Sequence, residues 1–165
     1  MQAKCWMKIK IICVGKIKEG FYRDAISEYL KRLSRFATLE ICEVSDEKTP
    51  DKISDTEKNI ILAKEGERIK SKIKDSDYLI TLEIEGSKVT SEGLARKMDS
   101  LFNSGISSVA FVIGGSLGID DSVKKMASFS LSFSDMTFPH QLMRVILLEQ
   151  IYRAFKINAR EPYHK

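Results

Sequence analysis

Three segments of this 165-residue chain hold the groups that could do chemistry. The run Gly114-Gly115-Ser116-Leu117-Gly118 follows the apolar stretch Val109 to Ile113. Adjacent glycines let a backbone approach a ligand closely and turn N–H groups toward it. The spacing is neither the G-x-G-x-x-G of a dinucleotide site nor a Walker phosphate loop. A simple turn would also use these glycines, but their place at the end of a buried strand favours binding. The second segment, Ser134-Asp135-Met136-Thr137-Phe138-Pro139-His140-Gln141, sets hydroxyls beside a Met and a Phe. That mixture suits a ligand with polar and apolar parts. His140 reads as a structural residue with a local hydrogen bond, because nothing near it forms a nucleophile–base pair. The third segment is the tail, Asn158-Ala159-Arg160-Glu161-Pro162-Tyr163-His164-Lys165. Tyr and His rings can stack on a base, and Arg and Lys can hold phosphate. A frayed terminus is the competing reading.

The elements that must position these segments follow from periodicity. Ile9 to Val14 is a β-branched run closed by Gly15, and Thr38 to Val44 alternates; both read as strands. Tyr78 to Ile84, closed by Glu85-Gly86, Val109 to Ile113, and Phe129 to Phe133 complete five. Between them come helices at 20–36, from the capping box Ser54-Asp55-Thr56-Glu57 to about Lys74, from Ser91 to Asn103, at 120–127 and at 141–157. Strands alternating with helices predict an α/β fold whose parallel sheet carries helices on both faces. Ligands of such sheets bind at the carboxyl ends of the strands, where the two glycine and hydroxyl loops fall. The last helix carries Leu142, Met143, Val145, Ile146, Leu147, Leu148, Ile151, Tyr152 and Phe155 on more than one face. A surface helix needs only a stripe, so a second contact, a homodimer, is expected.

Composition bounds the class. Net charge is only +4 and 43% of residues are hydrophobic, which excludes disorder as the main state. No apolar run approaches the roughly 18 residues of a membrane span. Residues 1–35 hold nine Lys/Arg against three Asp/Glu, and residues 140–165 five against two. Basic ends would attract a polyanion such as RNA, although scattered surface lysines would look the same. Cys5, Cys13 and Cys42 are odd in number, without C-x-x-C spacing or a nearby His. They read as reduced residues of a cytoplasmic protein, and no metal is expected. Met1 to Trp6 read as a leader, a cloning remnant or an early start, ahead of one domain over 7–165.

Met7-Lys8-Ile9, Phe111 to Gly118, Leu131 to Gln141, Arg144, Glu149 to Ala154 and the closing Tyr163-His164-Lys165 together resemble the ribosomal large-subunit pseudouridine methyltransferase H family. These are small members of the SPOUT class, and the resemblance covers Met7 to Lys165. It implies S-adenosylmethionine as methyl donor and N3 of a pseudouridine in 23S rRNA, within the large subunit or whole ribosome, as acceptor. It also implies a homodimer and a C-terminal trefoil knot, a topology that general connection rules would reject. Position by position it places Leu82, Gly114, Gly115, Phe133, Ser134, Asp135, Met136, Thr137 and Phe138 around the cofactor. Asp135 departs from the residue expected there, which leaves the polar side of that loop open.

Chemistry then assigns roles to the tail. Transfer from a sulfonium is an in-line displacement that needs position above all. The pseudouridine N3 attacks only after its imide proton leaves, and a cation would stabilise the anion. Lys165 or Arg160 is the candidate for that cation, His164 or solvent for the proton acceptor, and Tyr163 for stacking. With few apolar residues to anchor it, the tail is expected to contribute little to stability. A valine at Gly114 is expected to enter the ligand's space. The alternative to an enzyme is a non-enzymatic RNA- or ribosome-binding protein with a vestigial pocket.

Overall fold

The computed structural model describes residues 7–165, so the expected leader lies outside the described residues. Five strands form one sheet: β1 (Met7–Val14), β2 (Ala37–Val44), β3 (Tyr78–Lys88), β4 (Ser108–Ile113) and β5 (Phe129–Ser132). Their order is β2-β1-β4-β3-β5, and every pairing is parallel. The helices are α1 (Gly20–Leu33), α2 (Asp55–Lys70), α3 (Ser91–Asn103), α4 (Asp121–Lys124) and α5 (His140–Asn158).

Strand β4 shows why both faces are covered. All six of its residues are buried. Val109, Phe111 and Ile113 join a core shared with α1, α3 and α5, while Ala110 and Val112 face the core of α2 and α4. An unbroken apolar run is what a strand sandwiched between two helical layers requires. A buried ionic link ties three strands together. Lys10 Nζ donates to Asp77 Oδ2 at 2.8 Å, and Ser108 Oγ donates to Asp77 Oδ1 at 2.6 Å. This joins β1 and β4 to the residue that precedes β3. Burial pushes the Asp77 carboxyl up, but these donors hold it below its ordinary value.

Several boundaries differ from the expected ones. Helix α1 stops at Leu33 because the chain must turn into β2 at Ala37. Thr90, not Ser91, caps α3, accepting from the Gly93 N–H at 3.0 Å. The Ser54–Glu57 capping box forms as read. Strand β3 does not end at Glu85-Gly86. It continues to Lys88 with a register shift, so that Leu131 of β5 pairs with both Leu82 and Ser87. Gly86 permits this, since a Cβ there would lie 2.8 Å from the Leu131 carbonyl carbon. Only glycine lets one backbone lie so close to another.

Candidate active site

A cleft of about 830 Å³ opens at the carboxyl ends of β3, β4 and β5. Its volume lies within the roughly 300–1,000 Å³ of small-molecule sites. Of the nine residues expected around a cofactor, Leu82, Gly114, Gly115, Phe133, Ser134, Met136, Thr137 and Phe138 line it. Asp135 does not. Its exposed carboxylate instead takes the Lys88 ammonium at 2.5 Å, because it sits on the outer side of the loop within reach of the end of β3. The glycine turn closes through a bridge between Gly115 and Gly118. A Cβ on Gly114 would overlap the Gly118 carbonyl and stand 2.8 Å from Ile119 Cγ1. The expectation that a valine there would enter ligand space is therefore corrected: it would break the loop first.

The cleft also holds Lys58, Glu83, Glu85 and Lys124, which sequence reasoning passed over, and His140, which it read as structural. Strand alternation could have found Glu83, which shares a face with Thr81. Thr81 Oγ1 donates to Glu83 Oε2 at 2.7 Å, and Lys124 Nζ lies 3.4 Å from its other oxygen. Burial raises the Glu83 pKa, yet these partners leave it below the ordinary carboxylate value. His140 faces the cleft and makes no side-chain hydrogen bond among the described residues, contrary to its structural reading. Burial, then the charge of Arg144, pulls its pKa down, and Asp46 partly offsets this. The neutral imidazole is thus favoured.

Arg144 sets the frame behind His140. It is 1% exposed, donates to Glu43 Oε2 at 2.7 Å and to the Gly15 carbonyl at 2.6 Å, and so clamps α5 to the ends of β1 and β2. Glu65 of α2 lies behind the glycine loop at 4% exposure. Its Oε1 accepts the Glu47 N–H at 3.0 Å, and its Oε2 has no partner among the described residues. Desolvation raises its pKa. Among the described residues, no group of three or more His, Cys, Asp or Glu side chains could hold a metal ion.

The tail is not frayed, and none of its residues lines this cleft. Arg160 adopts φ 54°, a left-handed conformation that turns the chain back along α5. Tyr163 packs edge-on against Tyr152 with centroids 4.9 Å apart, lies 4.7 Å beneath the Arg153 guanidinium, and donates to Glu149 Oε1 at 3.2 Å. Burial, then Glu149, raises its pKa to about 12. Arg153 donates to His164 Nδ1 at 3.2 Å, so Nε2 carries the hydrogen shared with Glu92 Oε1 at 2.7 Å. The nitrogen expected to accept a proton is therefore occupied in this arrangement. Glu161 pairs with Arg35 and Lys156. Lys165 is exposed.

Comparison with known proteins gives this arrangement a family. Residues 7–164 match the family model described as "Predicted SPOUT methyltransferase". A ribosomal RNA large subunit methyltransferase H of Bifidobacterium animalis subsp. lactis is 60% identical over 159 residues, covering 96% of this chain and all of that protein. Proteins of the same name from Acetivibrio thermocellus and Streptococcus equi subsp. zooepidemicus are 57% and 55% identical over the same shares. The structure of a probable methylase family protein from Haemophilus influenzae Rd KW20 superposes with a TM-score of 0.54 at 12% identity, covering 95% of this chain and 70% of that one, a likeness of fold alone. The chain belongs to the SPOUT methyltransferase family. Membership implies the trefoil knot in its C-terminal half.

Proposed function

We propose that the chain is an S-adenosylmethionine-dependent methyltransferase, one domain over 7–165, that methylates N3 of a pseudouridine in 23S rRNA as a cytoplasmic homodimer. The observation that carries this reading is the cleft. Both loops singled out by chemistry meet there, in a chain whose relatives bear the ribosomal RNA methyltransferase name along their full length. The residues fit the donor. Leu82, Ile113, Phe133 and Phe138 offer apolar walls to a purine, Ser134 and Thr137 offer hydroxyls, and Glu83 and Glu85 complement a cation. When bound, the donor supplies a methyl group already activated on a sulfonium sulfur.

The protein's own work is to position and to stabilise charge. The cleft holds the donor, Arg160 and Lys165 supply cations for the developing imide anion, and the imide proton leaves to solvent. No tail residue lines the cleft of its own chain, which supports a tail acting on the cleft of a second copy. Leu142 and Ile146, one turn apart on α5, are half-buried yet pack with neither core, which supports a partner on that face.

The test is methylation of large subunits lacking the modification, using labelled S-adenosylmethionine and mass spectrometry of the nucleosides. A labelled N3-methylpseudouridine is expected, and label on any other nucleoside or on none overturns the reading. Calorimetry with S-adenosylmethionine separates the enzyme from a pure RNA-binding protein, which would give no heat of binding.

A further inference from the structure

Phe21, the second residue of α1, is 66% exposed. Its ring leans on that of Tyr22 at a centroid distance of 4.4 Å, which braces it while leaving most of it in solvent. The stretch 16–24 around it holds Lys16, Lys18 and Arg23 against Glu19 and Asp24, with both lysines on the segment that precedes the helix. Arg23 is committed, donating to the carbonyls of Ile17 and Lys18 at 3.3 Å each. Lys16 and Lys18 are exposed, and their ammonium groups have no partner among the described residues.

The stretch is tied to the cleft rim. The Lys18 N–H donates to Gln141 Oε1 at 3.1 Å, at the start of α5. A Cβ on Gly15 would stand 3.4 Å from His140 Nε2, and His140 lines the cleft. The aromatic expected to stack on a base, Tyr163, is already covered by Tyr152 and Arg153. Phe21 has the open ring.

We propose that Phe21, flanked by Lys16 and Lys18, forms a stacking platform at the cleft rim that docks a single-stranded stretch of RNA beside the target base. The proposal rests on the reading of the chain as an RNA methyltransferase. Every base has a face that stacks on an aromatic ring, and lysines beside the ring meet the phosphates. A second copy of the chain is the poorer occupant, since protein–protein interface cores are depleted of lysine.

The experiment measures binding of large ribosomal subunits, donor affinity, methyl transfer and oligomeric state for the full chain and its variants. Phe21→Ala is expected to weaken subunit binding by about 5- to 150-fold, the worth of one stacked base. Phe21→Trp is expected to retain binding, and S-adenosylmethionine affinity is expected to stay unchanged in both. Lys16→Ala with Lys18→Ala is expected to flatten the salt dependence of log K by about 1.4, for two phosphates on a single strand. Unchanged subunit binding in Phe21→Ala overturns the platform, as does a shift from dimer to monomer, which would hand the ring to a second copy. If the wild type binds subunits but transfers no methyl group, the methyltransferase reading fails, and the platform stands or falls on the Phe21→Ala binding alone.

Discussion

Deleting residues 160–165 tests whether the tail belongs to the fold or only to the reaction. Tyr163 decides the magnitude. Its edge-on contact with Tyr152 is worth about 0.5–1.5 kcal/mol beyond burial. The Arg153 guanidinium over its ring adds about 0.5–1 kcal/mol, and the hydroxyl donating to a carboxylate about 1.5 kcal/mol. These share partners and do not add fully, so the net loss is about 2–3 kcal/mol. For a chain of this size that lowers the melting temperature by roughly 5–10 °C. Glu161 adds little, because its own carboxylate reaches solvent in both its pairs, with Arg35 and Lys156, and such pairs are weak. Thermal unfolding by circular dichroism at one fixed protein concentration reads the shift, since any dimer makes the midpoint concentration-dependent. Tyr163→Phe keeps the stacking and is expected to lose about half of that free energy, mainly the hydrogen bond. A truncated chain melting within about 1 °C of the full one would show that the tail contacts carry no weight in the fold.

Four further outcomes follow from particular residues. Glu65→Gln is expected to stabilise the protein at neutral pH: with a folded pKa above its ordinary 4.5, wild-type stability falls as pH rises through that window, and the amide abolishes the slope. Identical denaturant midpoints for the two proteins from pH 5 to 8 would refute it. His140 has a folded pKa below 6.5, so its contribution is complete above that pH and is lost as pH falls beneath it; His140→Gln should flatten that decline, and an imidazole NMR titration at or above 6.5 would contradict the cause. Arg144→Met is expected to cost about 3 kcal/mol in urea unfolding, at the low end for a broken buried pair because Glu43 reaches water; a loss below about 1 kcal/mol would show the clamp to be idle. Met136→Ala is a cleaner probe of the cleft than any change at Gly114, since Met136 is 71% exposed: it should fold normally and weaken S-adenosylmethionine in calorimetry, and unchanged affinity would remove it from the site.

What was legible in the sequence was what one segment decides alone. The apolar run Val109 to Ile113 announced a strand covered on both faces, and all of it is buried. The glycine and hydroxyl loops were legible as carboxyl-end loops because the alternation of strands and helices fixes which end of each strand they leave. Illegible features depend on a distant backbone or on chemistry that hydropathy does not register. Gly86 looked like a strand end because nothing near it in sequence reveals that Leu131 lies against it. The tail looked unanchored because its anchors are a carboxylate, a guanidinium and a ring edge, not aliphatic neighbours. Asp135 looked like a lining residue because only the fold tells which side of the loop it takes.

Helix α5 joins these pieces and sets the distance between them. Its first residues, His140 and Met143, line the cleft, while the tail doubles back only as far as Glu149 and Arg153. Six to ten residues of helix separate Met143 from those anchors, roughly 9–15 Å at 1.5 Å per residue. A pseudouridine held in line with a donor in the cleft therefore stands too far from the docked Tyr163 and His164 of the same chain to be stacked or deprotonated by them. Either the contacts to Glu149, Arg153 and Glu92 break when RNA arrives, or the tail serves a neighbouring cleft from where it lies. The left-handed turn at Arg160 does not choose between them: the Glu161 N–H donates to the Lys156 carbonyl at 3.0 Å, so the turn is the ordinary end of helix α5, and the choice rests on whether the Tyr163 contacts survive RNA binding.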